Sequence, residues 1–304
     1  VKSLGVFDIG SNTILMTLGR LAPSGEIEVL FDVGDVARLA EGLQDGHPLH
    51  AAAKARALQT LGHFRELARQ KGVTDLIAAG TAAFRRAGDG AAFAEEIQTQ
   101  WGIPVRILSG DEEAAYSYAS AAHDFGKKGE SLGMIDIGGG STEWVFDDSG
   151  PRLSFPVGTV RLTEKFVTVH PIPDEEWKNT REEIRRVLKD AIPILPPVPP
   201  AWVAVAATPA SLAAVLLELP KYDPQKVHGF RLARPDLAKL VETLRTKSLA
   251  ERNRMPGMDP KRSELLPIGA LILLECLDYL RLPGITVSDH GLRYGILYET
   301  LARR

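Results

Sequence analysis

Residues 134–143 read MIDIGGGSTE: an aspartate ending an apolar run, three glycines, two hydroxyls and a glutamate. Glycine tolerates positive φ and lets another group come close to the main chain. The bare N–H groups of Gly138, Gly139 and Gly140, beside Ser141 and Thr142, make a natural cradle for phosphate oxygens. Asp136 and Glu143 flank that cradle with the oxygen donors a hard divalent cation takes. A second stretch of the same kind, FDIGSNT at 7–13, puts Asp8, Ser11, Asn12 and Thr13 in corresponding places. The competing reading is a pair of tight hairpins whose glycines serve only the turn and whose aspartates accept from turn N–H groups. A third cluster, SGDEEA at 109–114, opens a helical pattern with Asp111, Glu112 and Glu113. Acids there favour the helix macrodipole whatever else they do, so position alone does not say which one carries chemistry.

The elements that must position these residues come in two matching sets. GVFDIGSNT (5–13) parallels GMIDIGGGST (133–142), and each continues into strand-like runs around a Ser-Gly turn, Ser24-Gly25 and Ser149-Gly150. A helical segment follows in each half, 50–72 and 175–192. Then comes an apolar strand ending in threonine, DLIAAGT (75–81) and WVAVAAT (202–208). Asp8 and Thr81 are 73 positions apart, Asp136 and Thr208 72. VRILSGDEEAAYSYASAA (105–122) and ITVSDHGLRYGILYETLA (285–302) close the two sets as strand, turn and helix. The order βββαβαβα, read twice, predicts two similar mixed-sheet α/β domains, residues 1–122 and 123–304. The second carries a helical insert at about 224–282. The two aspartate turns are expected to face a shared cleft, where pocket chemistry concentrates. PILPPVPP (193–200) reads as a stiff connection inside the second domain rather than a linker.

Bulk properties narrow the classes. A 304-residue chain with 44% apolar and 25% charged residues suits two ordinary globular domains. The net charge of −3 offers no global field for nucleic acid or an anionic membrane, so neither is expected as a partner. No apolar run reaches a membrane span of about 18 residues, and VKSLGVFDIGSN shows no signal-type apolar region, so a cytoplasmic location is the expectation. Cys276 is alone, inside ALILLECLDYL, and reads as a small buried hydrophobe. The seven histidines show no paired ligand spacing, which argues against zinc. The apolar LLPIGALILLECL reads equally as core helix or interface, which leaves a homodimer open. ERNRMPGMDPKR offers Arg252, Arg254, Lys261 and Arg262 as a basic strip, or as a solvated loop.

The duplicated DIG turns resemble the actin, hexokinase and sugar-kinase fold, whose domains are ribonuclease H-like. Within it, FDIGSNT, GTAAFRRA (80–87), ILSGDEEA (107–114), IDIGGGSTE (135–143), PVGTVRLTE (156–164) and VSDHGLRYGIL (287–297) resemble the exopolyphosphatase and guanosine pentaphosphate phosphohydrolase family, in family order. The resemblance runs to residue 304 and includes no counterpart of the C-terminal phosphohydrolase-type helical domain of longer members. It implies magnesium-dependent (or other divalent cation-dependent) hydrolysis of the terminal phosphate of inorganic polyphosphate, of guanosine pentaphosphate, or of both. It also implies Glu113 as the water-activating base, with Glu143 able to share that role, and Arg85 as a phosphate clamp. Asp136, Glu143 and Asp8 become candidate metal ligands. The candidate substrate contacts are Ser11, Asn12, Thr13, Gly138, Gly139, Gly140, Ser141, Thr142, Gly158 and Arg161, the last equally readable as a salt-bridge residue.

Two places depart from the family pattern. Ala206 and Ala207 precede Thr208 where glycines are usual, with Pro209 following, and Tyr294 stands where a glutamate is common. These departures put guanosine-nucleotide binding in doubt and favour inorganic polyphosphate. A kinase of the same superfold and a non-catalytic polyphosphate or alarmone sensor are the rival readings.

Overall fold

The computed structural model describes residues 2–303. The chain forms two compact units: one runs to Ser120 and takes in the segment from Leu292 onward, the other is Ala121–Gly291.

The first unit opens with β1 (Ser3–Ile9), β2 (Thr13–Leu21) and β3 (Ile27–Val36). It continues through α1 (Ala51–Gln70), β4 (Leu76–Gly80), α2 (Ala82–Arg86), α3 (Gly90–Trp101), β5 (Val105–Ile107) and α4 (Gly110–Phe125), which runs past the unit boundary. The sheet order is β3-β2-β1-β4-β5, antiparallel among the first three strands and parallel from β1 through β5. Alternation along β1 divides its side chains between the two faces. Phe7 and Ile9 join a core with Leu61, Phe64 and Phe93, whereas Leu4 and Val6 pack with the C-terminal segment. Asp8 shares the face of Leu4 and Val6 and sits at the strand's end, half-buried. The helix α1 buries Ala53, Ala57, Leu61, Phe64 and Ala68, a stripe at three- and four-residue steps that lays one side on the sheet.

The second unit repeats the plan. β6 (Leu132–Ile137), β7 (Thr142–Val145) and β8 (Arg152–Phe155) are followed by α5 (Thr159–Phe166), α6 (Asp174–Ala191), β9 (Ala201–Val205) and α7 (Ala207–Leu216). The insert then supplies α8 (Pro224–Val227), β10 (Arg231–Ala233), α9 (Arg234–Thr246), α10 (Leu249–Arg252) and α11 (Leu266–Leu280), before β11 (Gly284–Val287). The order β10-β11-β9-β6-β7-β8 contains the five-strand pattern of the first sheet, with one strand added at the edge.

Two features of the insert, the strand β10 and the buried Arg252, depart from the sequence reading. The insert is not all helical: β10 pairs antiparallel with β11, because Leu232 has a core to enter there. Of the two readings of its apolar helix α11 the core one holds, with Leu266, Ile268 and Ala270 to Leu274 buried in the main cluster of this unit. Arg252 is fully buried and leaves the basic strip, with no hydrogen-bond partner for Nε or either Nη among the described residues.

The last helix, α12 (Leu292–Ala302), belongs with the first unit, although the repeat pattern closes the second domain with it. Leu292, Ile296, Leu297 and Leu301 pack with Leu4 and Val6. Asp32 on β3 fastens the helix: Arg293 grips it through Nε and Nη2 at 3.1 and 2.7 Å, and the Tyr294 hydroxyl donates to it at 2.7 Å. Gly295 lets α12 lie against α4, since a Cβ there would fall 1.9 Å from the Tyr116 carbonyl oxygen. No helix among the described residues is long and apolar enough to cross a membrane.

Candidate active site

The two aspartate-glycine turns are built alike. In each, the glycine N–H closes the hairpin on the carbonyl three residues on, Gly10 to Thr13 at 3.0 Å and Gly138 to Ser141 at 2.9 Å. In each, a later segment donates to the turn's carbonyls. Arg38 N–H and Ala40 N–H reach Asn12 O and Ser11 O at 2.9 Å. Thr159 N–H reaches Gly138 O at 3.0 Å, and Val160 and Arg161 N–H reach Gly139 O at 2.9 and 3.1 Å. The carbonyls are thereby satisfied, while the N–H groups of Ser11, Asn12, Gly139, Gly140 and Ser141 donate to no backbone carbonyl among the described residues. Main-chain donors left together at a turn form an anion cradle. The Ser11 hydroxyl oxygen is buried without a hydrogen-bond partner among the described residues.

At Gly138 the backbone has no positive φ and a Cβ would stand 3.1 Å from Ser141 O, so this glycine serves close approach within the hairpin. A Cβ on Gly158, at the start of α5, would fall 2.4 Å from Gly139 O. Gly158 is therefore the floor on which the turn rests. Thr142 begins β7 but its hydroxyl donates to Val157 O at 2.7 Å, which makes it a buried brace of the hairpin.

The three acids that open α4 separate cleanly. Ser109 and Glu112 form a reciprocal cap: Ser109 N–H donates to Oε2 of Glu112 at 2.9 Å, and Glu112 N–H donates to Ser109 Oγ at 3.2 Å. Glu112 also pairs with Arg106, and the Ser109 bonds hold its carboxyl below the usual carboxylate range. Asp111 is exposed. Glu113 alone is buried, 7% exposed, with Oε2 at 2.8 Å from Arg85 Nη2. Arg85 is itself oriented by donation from Nη1 to Leu108 O at 2.6 Å. Its two terminal nitrogens thus hold Glu113 and the β5–α4 connection, so its visible work is to aim a carboxylate.

In the second unit, Asp136 and Glu143 are registered directly opposite each other on β6 and β7, on the face away from Ile135 and Trp144. Directly opposed residues of an antiparallel pair have their Cβ atoms about 5 Å apart. Glu143 is 3% exposed, and Ser154 Oγ donates to its Oε1 at 2.8 Å. An oxygen-only pair of this kind fits a hard cation such as magnesium, which takes one or two carboxylates and fills the rest of its shell from water and phosphate. Arg161 is half-buried, with its N–H on the glycine turn.

The departures from the family pattern acquire physical form. Ala206, at the start of α7, has φ 78° and ψ −177°, a conformation natural to glycine. Tyr294 is engaged by Asp32 within the first unit. The sequence reading missed a side-chain group altogether: Asp124, His228 and His290 come together, from positions 104 and 62 residues apart. Spacing along the chain gave no signal of it; only the fold does.

Two sheets of one strand order, each with a turn of this build, define a duplicated actin-like α/β protein. The chain belongs to the Ppx/GppA phosphatase family, whose sequence model matches residues 21–304. It is 29% identical over 303 residues to a putative exopolyphosphatase of Haemophilus influenzae, covering 98% of this chain and 91% of that one. Among solved structures it resembles the Aquifex aeolicus Ppx/GppA family member, with a TM-score of 0.81 at 27% identity over 99% of this chain and 98% of the other. An exopolyphosphatase from Cytophaga hutchinsonii gives a TM-score of 0.87 at 25% identity, again over 99% and 98%.

Proposed function

We propose that the protein is an exopolyphosphatase: it hydrolyses the terminal phosphoanhydride of inorganic polyphosphate with a water activated by Glu113. The observation that carries this reading is the separation of the α4 acids. Glu112 is occupied as a helix cap, whereas Glu113 is buried and held by Arg85. A carboxylate so aimed suits a general base, which must lie within hydrogen-bond reach of the water it deprotonates.

Each unit offers a cradle suited to phosphate oxygens, the turn N–H groups of Ser11–Asn12 with the Ser11 hydroxyl in the first and those of Gly139–Ser141 in the second. Glu113 takes a proton from water as its oxygen bonds to the terminal phosphorus. The bridging P–O bond breaks, releasing orthophosphate and a chain one residue shorter. Arg85 keeps Glu113 in place, and Gly158 and the first turn of α5 keep the glycine cradle in place. Asp136 and Glu143 are the residues that would hold magnesium, with Asp8 the corresponding donor at the end of β1. When bound, the cation neutralises phosphate charge and polarises the P–O bonds. The preference for inorganic polyphosphate over guanosine pentaphosphate rests on the β9–α7 connection. There Ala206 and Ala207 add methyl groups and Pro209 lacks an N–H.

The experiment is orthophosphate release from long-chain polyphosphate, guanosine pentaphosphate and ATP, each with and without magnesium. The expected result is metal-dependent release that is fastest on polyphosphate. Release confined to guanosine pentaphosphate would replace the substrate, and binding of polyphosphate without release would replace the enzyme by a sensor.

A further inference from the structure

The second unit holds a group of side chains that the phosphate chemistry does not use. Asp124 lies in the last turn of α4, His228 follows α8, and His290 lies between β11 and α12. One ligand atom from each lies within 4.8 Å of the others. We propose that Asp124, His228 and His290 form a binding site for one divalent transition cation of the zinc class.

The donor set selects the metal. Two imidazoles and one carboxylate suit zinc and its neighbours, whereas magnesium and calcium prefer oxygen alone. The spacing is that of a site just short of closure. Ligands at zinc bond lengths in a tetrahedron sit roughly 3.3 Å apart. Asp124 Oδ2 accepts from His290 Nδ1–H at 2.7 Å, a bond that a cation would replace, and stands 4.0 Å from His228 Nε2. The two imidazole centroids are 4.3 Å apart.

The surroundings fix how His228 presents itself. The Ser288 hydroxyl donates its single proton to the His290 carbonyl at 2.9 Å. Toward His228 Nδ1, 3.5 Å away, the same oxygen can therefore only accept. With the ring proton on Nδ1, His228 presents the Nε2 lone pair toward the Asp124 carboxylate 4.0 Å away, where one cation would be held by both. His123 at 2.9 Å from Oδ1 orients the Asp124 carboxylate, as outer partners of metal ligands do. The side chain of Asp124 is 10% exposed and the Phe125 ring packs tilted against His228 at 4.8 Å, so the group is shielded but open to an ion.

The test is a zinc titration of the chelator-stripped chain against a chromophoric indicator, paired with the visible absorption of bound cobalt. The expected result is one zinc per chain, a cobalt spectrum of low-symmetry coordination, and no displacement by excess magnesium. His228→Ala and His290→Gln should each weaken zinc binding at least tenfold and remove the cobalt bands, while the exposed His63→Ala leaves both unchanged. His290→Gln retains a hydrogen-bond donor for Asp124, so its fold is expected to hold, and its zinc-induced rise in Tm should vanish while the metal-free Tm stays. The proposal is overturned if the wild type takes up no stoichiometric zinc, or if the His228 and His290 variants bind it as the wild type does.

Discussion

Glu112 and Glu113 are neighbours of the same type, yet the helix gives them opposite duties. Glu112 faces back to Ser109 and closes a capping box, a local interaction worth about 1 kcal/mol. Glu113 turns inward to Arg85. Glu112→Gln should therefore lower Tm slightly and leave hydrolysis within a few-fold of wild type, read by thermal melts and initial rates. Ala206 tests a different property of a single residue. Its φ of 78° with ψ near 180° belongs to glycine, and holding a Cβ there costs of order 1–3 kcal/mol. Ala206→Gly is expected to raise stability by about 1 kcal/mol or more, since the gain in strain relief exceeds glycine's entropic cost. A chemical-denaturation midpoint that falls instead would contradict the strain. From the sequence, the two alanines are visible as a departure, but the backbone conformation that makes one of them costly is not.

Elements decide whether the cradles work. The glycine turn at 138–140 does not stand by its own conformation; the first turn of α5 donates three N–H groups to its carbonyls, and Gly158 gives it a surface. Gly158 itself has φ −147° and ψ 157°, which any residue adopts, so the strain of Gly158→Ala is a clash with the turn backbone, Gly139 O at 2.4 Å, Gly140 C at 2.5 Å and Gly139 C at 2.6 Å. Overpacking of this kind costs about 1–3 kcal/mol, and here it displaces the turn. Phosphate release should fall at least tenfold with the far-ultraviolet circular dichroism unchanged; a fully active variant would show that the cradle does not depend on α5. Arg252, on α10, carries a guanidinium buried without a hydrogen-bond partner among the described residues, and burial pushes its pKa down to about 10. A cation whose pKa is lower in the folded state is a cost at neutral pH. The unfolded chain binds more protons, so stability rises as pH climbs through about 10. The shift corresponds to about 3 kcal/mol at most, and Arg252→Met should raise Tm at pH 7 and flatten that alkaline rise. The sequence could not locate this residue, because a charge run in a loop and a buried arginine read alike until the packing is known.

At the scale of the whole chain, the repeat was the most legible feature. Matching DIG turns, Ser-Gly hairpins and strand-threonine junctions are local patterns with fixed spacing, and both sheets follow from them in the same strand order. What local pattern cannot carry is the destination of a helix. α12 has the apolar period of any closing helix, and its place on the first unit is set by Asp32, Arg293 and the Gly295 contact with Tyr116. The histidines of the second unit were illegible for the same reason, since His228 and His290 meet Asp124 only through the fold. The two aspartate-glycine turns and the acidic cluster, by contrast, are legible as local patterns because each lies within a few consecutive residues. On the proposed function, removing divalent cations from the whole protein with a chelator should stop phosphate release and magnesium should restore it, and Asp136→Asn with Glu143→Gln should abolish that restoration.

The most direct measurement is the initial rate of orthophosphate release from polyphosphate, at saturating magnesium, for wild type and Glu113→Gln with polyphosphate binding followed in parallel. Glutamine keeps the shape and the contact with Arg85 but cannot take a proton from water. The account predicts that the rate falls about a hundred- to ten-thousandfold while binding is retained, the range a general base contributes. A Glu113→Gln variant that hydrolyses polyphosphate at the wild-type rate would contradict it.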